Sequence, residues 1–426
     1  MLTQPSQRTA TALVIASLAL VAFMTLGPTA QVVSTPTLCI ICGTLGGVDF
    51  TLNVLLFVPL GIALQWALGR WRIVAVIGVA TTLLIETLQW RLIPGRDASI
   101  GDLVANALGT MAGAWIAIYG LRCLSATGTA ARRYAGAFAI VSCFMVWASA
   151  WLLQPVLPRY RQWAQFTPRR PNMDQFQGRL LGVEFNDRPL RSNQILAPAQ
   201  TLNTASRGLS VRALLEGPIP STTRPAFIVR IANGIEEGFS LTQRGETVGF
   251  RTHIAASRLR LRPILAGLEG ALPGSNTPLA GRGELAIEGN SSPRAIVIRR
   301  DQPGNEVSMT LRRTVGLAWA LFFPRDIAIT PRWWMANALW LAVLVLPVSL
   351  LTFRTAARLK DHSAGFLWWS LPVVFVSLAA TPVTDLSALG LAEWIGVLIG
   401  GGAGAVIERL GRHAPTNVKH DEIALS

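Results

Sequence analysis

Apolar windows of about 20 residues recur in two groups, five before residue 155 and three after residue 332, and no other feature constrains the fold as much. A bilayer core about 30 Å thick is spanned by about 20 helical residues, so each window has the length of one crossing. The windows run Thr11 to Leu26, Val48 to Leu68, Trp71 to Trp90, Asp102 to Tyr119, Tyr134 to Leu153, Trp333 to Thr352, Ala364 to Ala380 and Ala388 to Ile407. A mean hydropathy of +0.42 with 14% charged residues excludes an ordinary soluble enzyme. The expected class is a polytopic α-helical membrane protein of about eight transmembrane helices.

Between the groups the pattern changes. From Pro155 to Arg332 short alternating runs are broken by Gly, Pro, Asn and Ser, which is the punctuation of strands. Expected strands are Leu209 to Leu215, Ala226 to Ala232, Phe239 to Gln243, Thr247 to His253, Glu284 to Glu288, Ala295 to Arg299 and Val307 to Arg312. Arg244-Gly245-Glu246 reads as a hairpin turn, with Gly able to take a positive φ. The pattern predicts an inserted all-β domain of sandwich or jelly-roll type. The chain then divides into a membrane bundle over 1–154, a β domain over 155–332, a second bundle over 333–410 and a tail over 411–426.

Lys and Arg in short loops set the orientation. Arg8, Arg70 with Arg72, Arg122 with Arg132 and Arg133, Arg354 with Arg358 and Lys360, and Arg409 with Arg412 and Lys419 all fall on one side of an eight-span chain. That side is cytoplasmic, with both termini inside and the β domain extracytoplasmic, in the inner membrane of a bacterium. The domain's own arginines do not contradict this, because long domains translocate largely regardless of charge. The first span has one basic residue, an apolar core and a poor cleavage site at Pro28-Thr29-Ala30, and is read as an uncleaved helix.

A net charge of +15 does not imply nucleic acid here. Lys360 and Lys419 are the only lysines among 38 basic residues, and the arginines are scattered rather than striped. Anionic envelope polymers and lipid head groups fit such charge better. Cys39 and Cys42 have redox spacing without a βαβ setting, which leaves a local disulfide or two idle thiols; Cys123 and Cys143 read as unpaired. No cofactor or metal site is expected, and His253 at a strand end reads as a satisfied residue rather than a ligand.

Polar groups inside spans are costly, so each calls for a partner or a function. Asp49 and Asn53 open the second span, Glu86 and Gln89 close the third, and Asp102 and Asn106 open the fourth, each pair on one helix face. The topology brings all six to the outer membrane surface, where Arg96 and Asp97 join them from the connecting loop. Three readings remain open for this cluster. It can fix helix packing, bind polar head groups or sugars, or place Glu86 and Asp102 for acid/base work, although two carboxylates alone define no reaction.

Asp49-x3-Asn53-x3-Phe57-x-Pro59-x-Gly61, Glu86-x2-Gln89 and Arg96-Asp97-x4-Asp102-x3-Asn106-x2-Gly109-x3-Gly113 together resemble the VanZ-like family over roughly the first 120 residues. The resemblance implies a small bacterial membrane protein module, linked through its namesake to resistance against the glycopeptide teicoplanin. It assigns no catalytic residue. In the β region, Phe239 to Gly245 leading into Val248-Gly249-Phe250-Arg251 resembles the concanavalin A-like lectin and laminin G group, which implies carbohydrate binding. The acidic motif of that group's hydrolases is missing, so a glycosidase is disfavoured.

In the second group, Glu393, Gly400 and Gly404 repeat the spacing of Asp102, Gly109 and Gly113, which points to a decayed copy of spans two to four. The functional expectation is a non-enzymatic envelope protein whose outer cluster and β domain contact envelope polysaccharide or cell-wall components. Its alternative is a membrane-embedded enzyme or transporter for a lipid-linked envelope precursor, with Glu86, Arg96 and Asp102 in the site.

Overall fold

Helix ends in this chain are set by a few local groups. In α1 (Gln7–Thr25) the Ser6 hydroxyl accepts the Thr9 amide, and in α4 (Ile100–Ser125) the Ser99 hydroxyl accepts the Gly101 amide. Helix α2 (Gly46–Leu68) stops at Gly69, whose φ of 67° closes the last turn onto the Gln65 carbonyl. The remaining long helices are α3 (Trp71–Leu92), α5 (Gly128–Leu152), α6 (Trp334–Thr355) and α7 (Leu391–His413). The computed structural model describes residues 5–27, 40–41, 43–93, 99–156, 158–196, 208–217, 219–233, 236–272, 283–355 and 385–413.

Seven helices among the described residues, rather than about eight, are long and apolar enough to cross a membrane. The expected span over 364–380 lies outside the described residues, as do Cys39 and Cys42. Large apolar side chains such as Phe23, Ile140 and Leu398 are 80%, 72% and 72% exposed, which only a lipid solvent makes favourable. The chain is therefore a multi-pass membrane protein with a separate β domain.

Side-chain contacts fix the helix directions. Gln7 donates to the Ala67 carbonyl at one end of the first bundle, and Gln89 donates to the Thr25 carbonyl at the other. So α1 and α3 end, and α2 and α4 begin, at one common face. In the second bundle Asn337 meets Glu393 near the start of both helices, while Arg354 pairs with Glu408 at 2.6 Å near their ends. Helices α6 and α7 thus run parallel, as α2 and α4 do.

Small residues let these parallel pairs touch backbone to backbone. A Cβ on Gly109 would collide with the Val54 carbonyl, and one on Gly113 with that of Val58. Along α7, Gly396 and Gly400 meet the Ala338 and Ala342 carbonyls in the same way.

The β domain consists of two six-stranded antiparallel sheets. The first has the order β4 (Ile195–Leu196), β1 (Gln162–Phe166), β6 (Ala226–Ala232), β7 (Glu237–Arg244), β8 (Thr247–Thr252), β9 (Leu265–Leu268). The second has the order β12 (Val307–Arg312), β11 (Ala295–Asp301), β10 (Glu284–Ser291), β5 (Leu209–Glu216), β2 (Arg179–Phe185), β3 (Arg188–Leu190). Their inner faces share one core, in which Phe239, Leu241 and Phe250 meet Leu215, Ile287 and Ile298. Gly289 lets the Phe250 ring sit flat on the opposite sheet. The Arg244-Gly245-Glu246 turn joins β7 to β8, with Gly245 at φ 62°.

Candidate functional site

The domain sits on the helix face where α2 and α4 begin. Backbone hydrogen bonds at three places hold it there. Gln154, just past α5, accepts the Ala255 amide and Val156 donates to the His253 carbonyl; Arg260 accepts the Gly47 amide at the start of α2; Arg313 accepts the Ser387 amide before α7.

At the α2–α3–α4 ends, Asn53 Nδ2 donates to Asp102 Oδ1 at 2.6 Å. Glu86 Oε2 accepts the Ser99 amide at 3.0 Å, so a carboxylate of α3 holds the first turn of α4 and favours its positive dipole end. Gln89 turns to α1 and donates to the Thr25 carbonyl at 2.8 Å. Asn106 is 2% exposed, and its side-chain oxygen has no hydrogen-bond partner among the described residues. Asp49 is exposed and faces the β domain, where its charge supports that of Arg262. Arg96 and Asp97 lie outside the described residues. The structure thus joins Asn53 to Asp102 and Glu86 to the α4 start, and turns Gln89 to α1.

What lies near Asp49 is a loop with no sequence signature. After β8 the chain makes a 3-10 turn, Ala255–Leu259, and Arg260 adopts a φ of 54°, placing its carbonyl on the Gly47 amide at 3.2 Å and its guanidinium on the Ile41 carbonyl. A Cβ on Gly47 would collide with the Leu259 carbonyl, so only glycine admits this loop.

From there a polar band crosses the outer face of the first sheet. Arg262 donates to the Phe323 and Pro324 carbonyls, each at 2.7 Å, and approaches Asp326 at 3.6 Å. Asp326 pairs with Arg251; Arg251 approaches Glu237 at 3.5 Å, and Arg230 approaches Glu237 at 3.3 Å. Gln165 then accepts from both Arg230 and Arg170. Strand register explains the line, because Gln165, Arg230, Ser240 and Arg251 are successive cross-strand partners on one face. Exposed Trp163 lies on that face too, two residues before Gln165 and opposite Ile195.

Burial and neighbouring charge compete along this band. Burial works against the ionised carboxyl of Asp326, but the Arg251 and Arg262 guanidiniums outweigh it and hold the group below its usual range. Burial alone pushes Arg313 down to about 9. This guanidinium is 1% exposed and donates to the Leu153 carbonyl, capping α5, and to the Thr252 and Ser291 hydroxyls of the two sheets. His253 hydrogen-bonds through Nδ1 to the Glu237 carbonyl at 3.1 Å.

The second sheet carries its own charged row, with Glu184, Arg212, Glu288 and Arg299 as successive cross-strand partners. Arg212, Glu288, Arg299, Asp301 and Glu306 line a shallow depression of about 130 Å³ there. Among the described residues no group of three or more His, Cys, Asp or Glu is placed to hold a metal ion.

Residues 1–122 match the model of the VanZ/LLP1 family. That stretch contains α1 to α3 and nearly all of α4, and within it fall all eight residues of the polar cluster read from the sequence. No curated protein and no solved structure matches the chain.

Proposed function

We propose that this is an envelope protein of the bacterial inner membrane, with both termini cytoplasmic, whose outer polar cluster and jelly-roll-like β domain bind envelope polysaccharide or cell-wall components without catalysing a reaction. The VanZ-like character of residues 1–122 supports a link to the envelope and to glycopeptide susceptibility. One observation carries the reading. A polar band runs from Arg262, which lies within reach of the Asp49 charge, through Asp326, Arg251, Glu237 and Arg230 to Gln165, with the exposed Trp163 on the same sheet face. Guanidinium, carboxylate and amide groups beside an indole suit sugar hydroxyls and a sugar's apolar face.

The test uses the full chain in nanodiscs on an array of envelope glycans, beside a deletion strain complemented with variants. Trp163→Ala and Arg230→Ala are expected to lower glycan binding at least tenfold, and Asp102→Asn to change teicoplanin susceptibility. No binding to any envelope sugar, with susceptibility unchanged in all three variants, sinks the proposal.

A second reading takes its support from Glu86 and Asp102, carboxylates on adjacent helices at the start of α4. It is a membrane-embedded enzyme or transporter for a lipid-linked envelope precursor, with Arg96 in the site. Accumulation of such a precursor in Glu86→Gln cells, with glycan binding intact, favours it over the first.

A further inference from the structure

We infer that the membrane part is built from two copies of one unit in the same orientation, α1–α4 and α5–α7, and that the second copy has given up its outer polar site to become the dock of the β domain. Parallel repeats of this kind are related by an axis along the membrane normal. The inference goes beyond the proposed ligand and does not depend on it.

Packing carries the argument. One constant offset relates α2 to α6 and matches Val54 with Ala342, Pro59 with Pro347 and Gly61 with Ser349. A second constant offset relates α4 to α7 and matches Ser99 with Gly390, Asp102 with Glu393, Gly109 with Gly400, Thr110 with Gly401 and Gly113 with Gly404. Contacts obey both offsets together. Gly109 rests on the Val54 carbonyl, and Gly400 on that of Ala342. Gly61 rests on the Thr110 carbonyl, and the Ser349 hydroxyl donates to that of Gly401 at 2.6 Å. Gly113 abuts Gly61, and Gly404 abuts Ser349. Sequence spacing alone offered three of these matches; paired contacts at two independent offsets are not what chance in Gly-rich helices produces.

The flanking helices follow the same plan. Val21 of α1 shares a buried cluster with Phe57 of α2, and Cys143 of α5 packs on a cluster containing Val345, the Phe57 counterpart in α6. The connection between α1 and α2 therefore corresponds to the one between α5 and α6. The β domain is inserted there.

The two polar sites have diverged. In the first copy the acid opening α4, Asp102, takes a hydrogen bond from Asn53 of α2, while Glu86 of α3 holds the Ser99 amide. In the second copy Glu393 does both jobs, accepting from the Gly390 amide and from Asn337 of α6, which the α2-to-α6 offset matches with Asp49 rather than with Asn53. It also accepts the hydroxyl of Thr314, which belongs to the β domain, and Gly316 of the same segment packs on it so closely that a Cβ would collide. Glu393 is 3% exposed. The carboxylate that would face a ligand in an open copy is closed by the chain's own Thr314 and Gly316.

Hydrogen exchange on the full chain in nanodiscs tests this. Glu393→Gln sets an amide N–H₂ against the Gly390 amide or the Thr314 hydroxyl, and Thr314→Val removes the hydroxyl outright. Each is expected to raise exchange at 313–318 and 390–394 at least tenfold, with 46–53 and 99–106 at wild-type rates; Glu393→Asp, a milder change, should fall between. Asp102→Asn is expected to show the reverse pattern. Unchanged exchange at 313–318 in both Glu393→Gln and Thr314→Val overturns the dock. So does a Glu393→Gln protein with wild-type exchange but altered teicoplanin susceptibility, since Glu393 would then belong to a second working site.

Discussion

His253 shows how a single residue can make the junction sensitive to acid. Burial is the main influence on it and pushes its pKa below the ordinary 6.5; the nearby Arg258 acts in the same sense, while the Glu237 carbonyl and the Glu236 charge oppose. The folded state therefore binds the proton more weakly than the unfolded chain. Stability is full above pH 6.5 and falls as the pH drops from there toward the lower folded value, by up to about 1.4 kcal/mol per unit. Melting of the full chain in detergent between pH 7.5 and 5 is expected to show this loss, and His253→Gln to flatten it. An equal acid slope in the variant would assign the effect to other groups. At this scale Asp49, Asn53, Glu86, Gln89, Asp102 and Asn106 could be read from the sequence, because an ionisable or amide group inside an apolar run stands out. Arg251 and Asp326 could not, since they lie 75 residues apart in a region already full of arginine and only sheet register brings them together.

Among the elements, seven of the expected spans were legible because length and hydropathy suffice to define a crossing. Strands β5 to β8 and β10 to β12 were legible from alternation and turn residues. The first four strands and β9 were not. Strands β3, β4 and β9 span four residues or fewer, too short for a period, and β2 carries a register shift between Leu180 and Gly182 that breaks its alternation. Gly109 gives the sharpest test at this scale. Its α-carbon meets the Val54 backbone directly, so Gly109→Leu must push α2 and α4 apart, at a cost above about 3 kcal/mol. Gly402 of α7 has nothing within 4 Å of where a Cβ would stand, so Gly402→Leu should stay within about 0.5 kcal/mol. Unfolding by SDS in mixed micelles compares the two. Equal destabilisation would mean that contact with the Val54 backbone does not set the cost.

For the whole molecule, charge and geometry meet on one question. The β domain caps the face where α1, α3 and α5 end and α2, α4, α6 and α7 begin, so its side of the membrane fixes that of every described loop. Basic residues cluster at the opposite ends, at Arg70 and Arg72, at Arg132 and Arg133, and at Arg354. The positive-inside rule predicts that those ends are cytoplasmic. In a variant lacking the native cysteines, Asp187→Cys in the turn between β2 and β3 should react with a membrane-impermeant maleimide on intact spheroplasts. Arg132→Cys, exposed near the start of α5, should react only after permeabilisation. The reverse pattern would put the polar band in the cytoplasm, where no cell-wall polymer reaches it. The glycan reading would then fall, while the two-copy architecture, which rests on helix contacts alone, would stand.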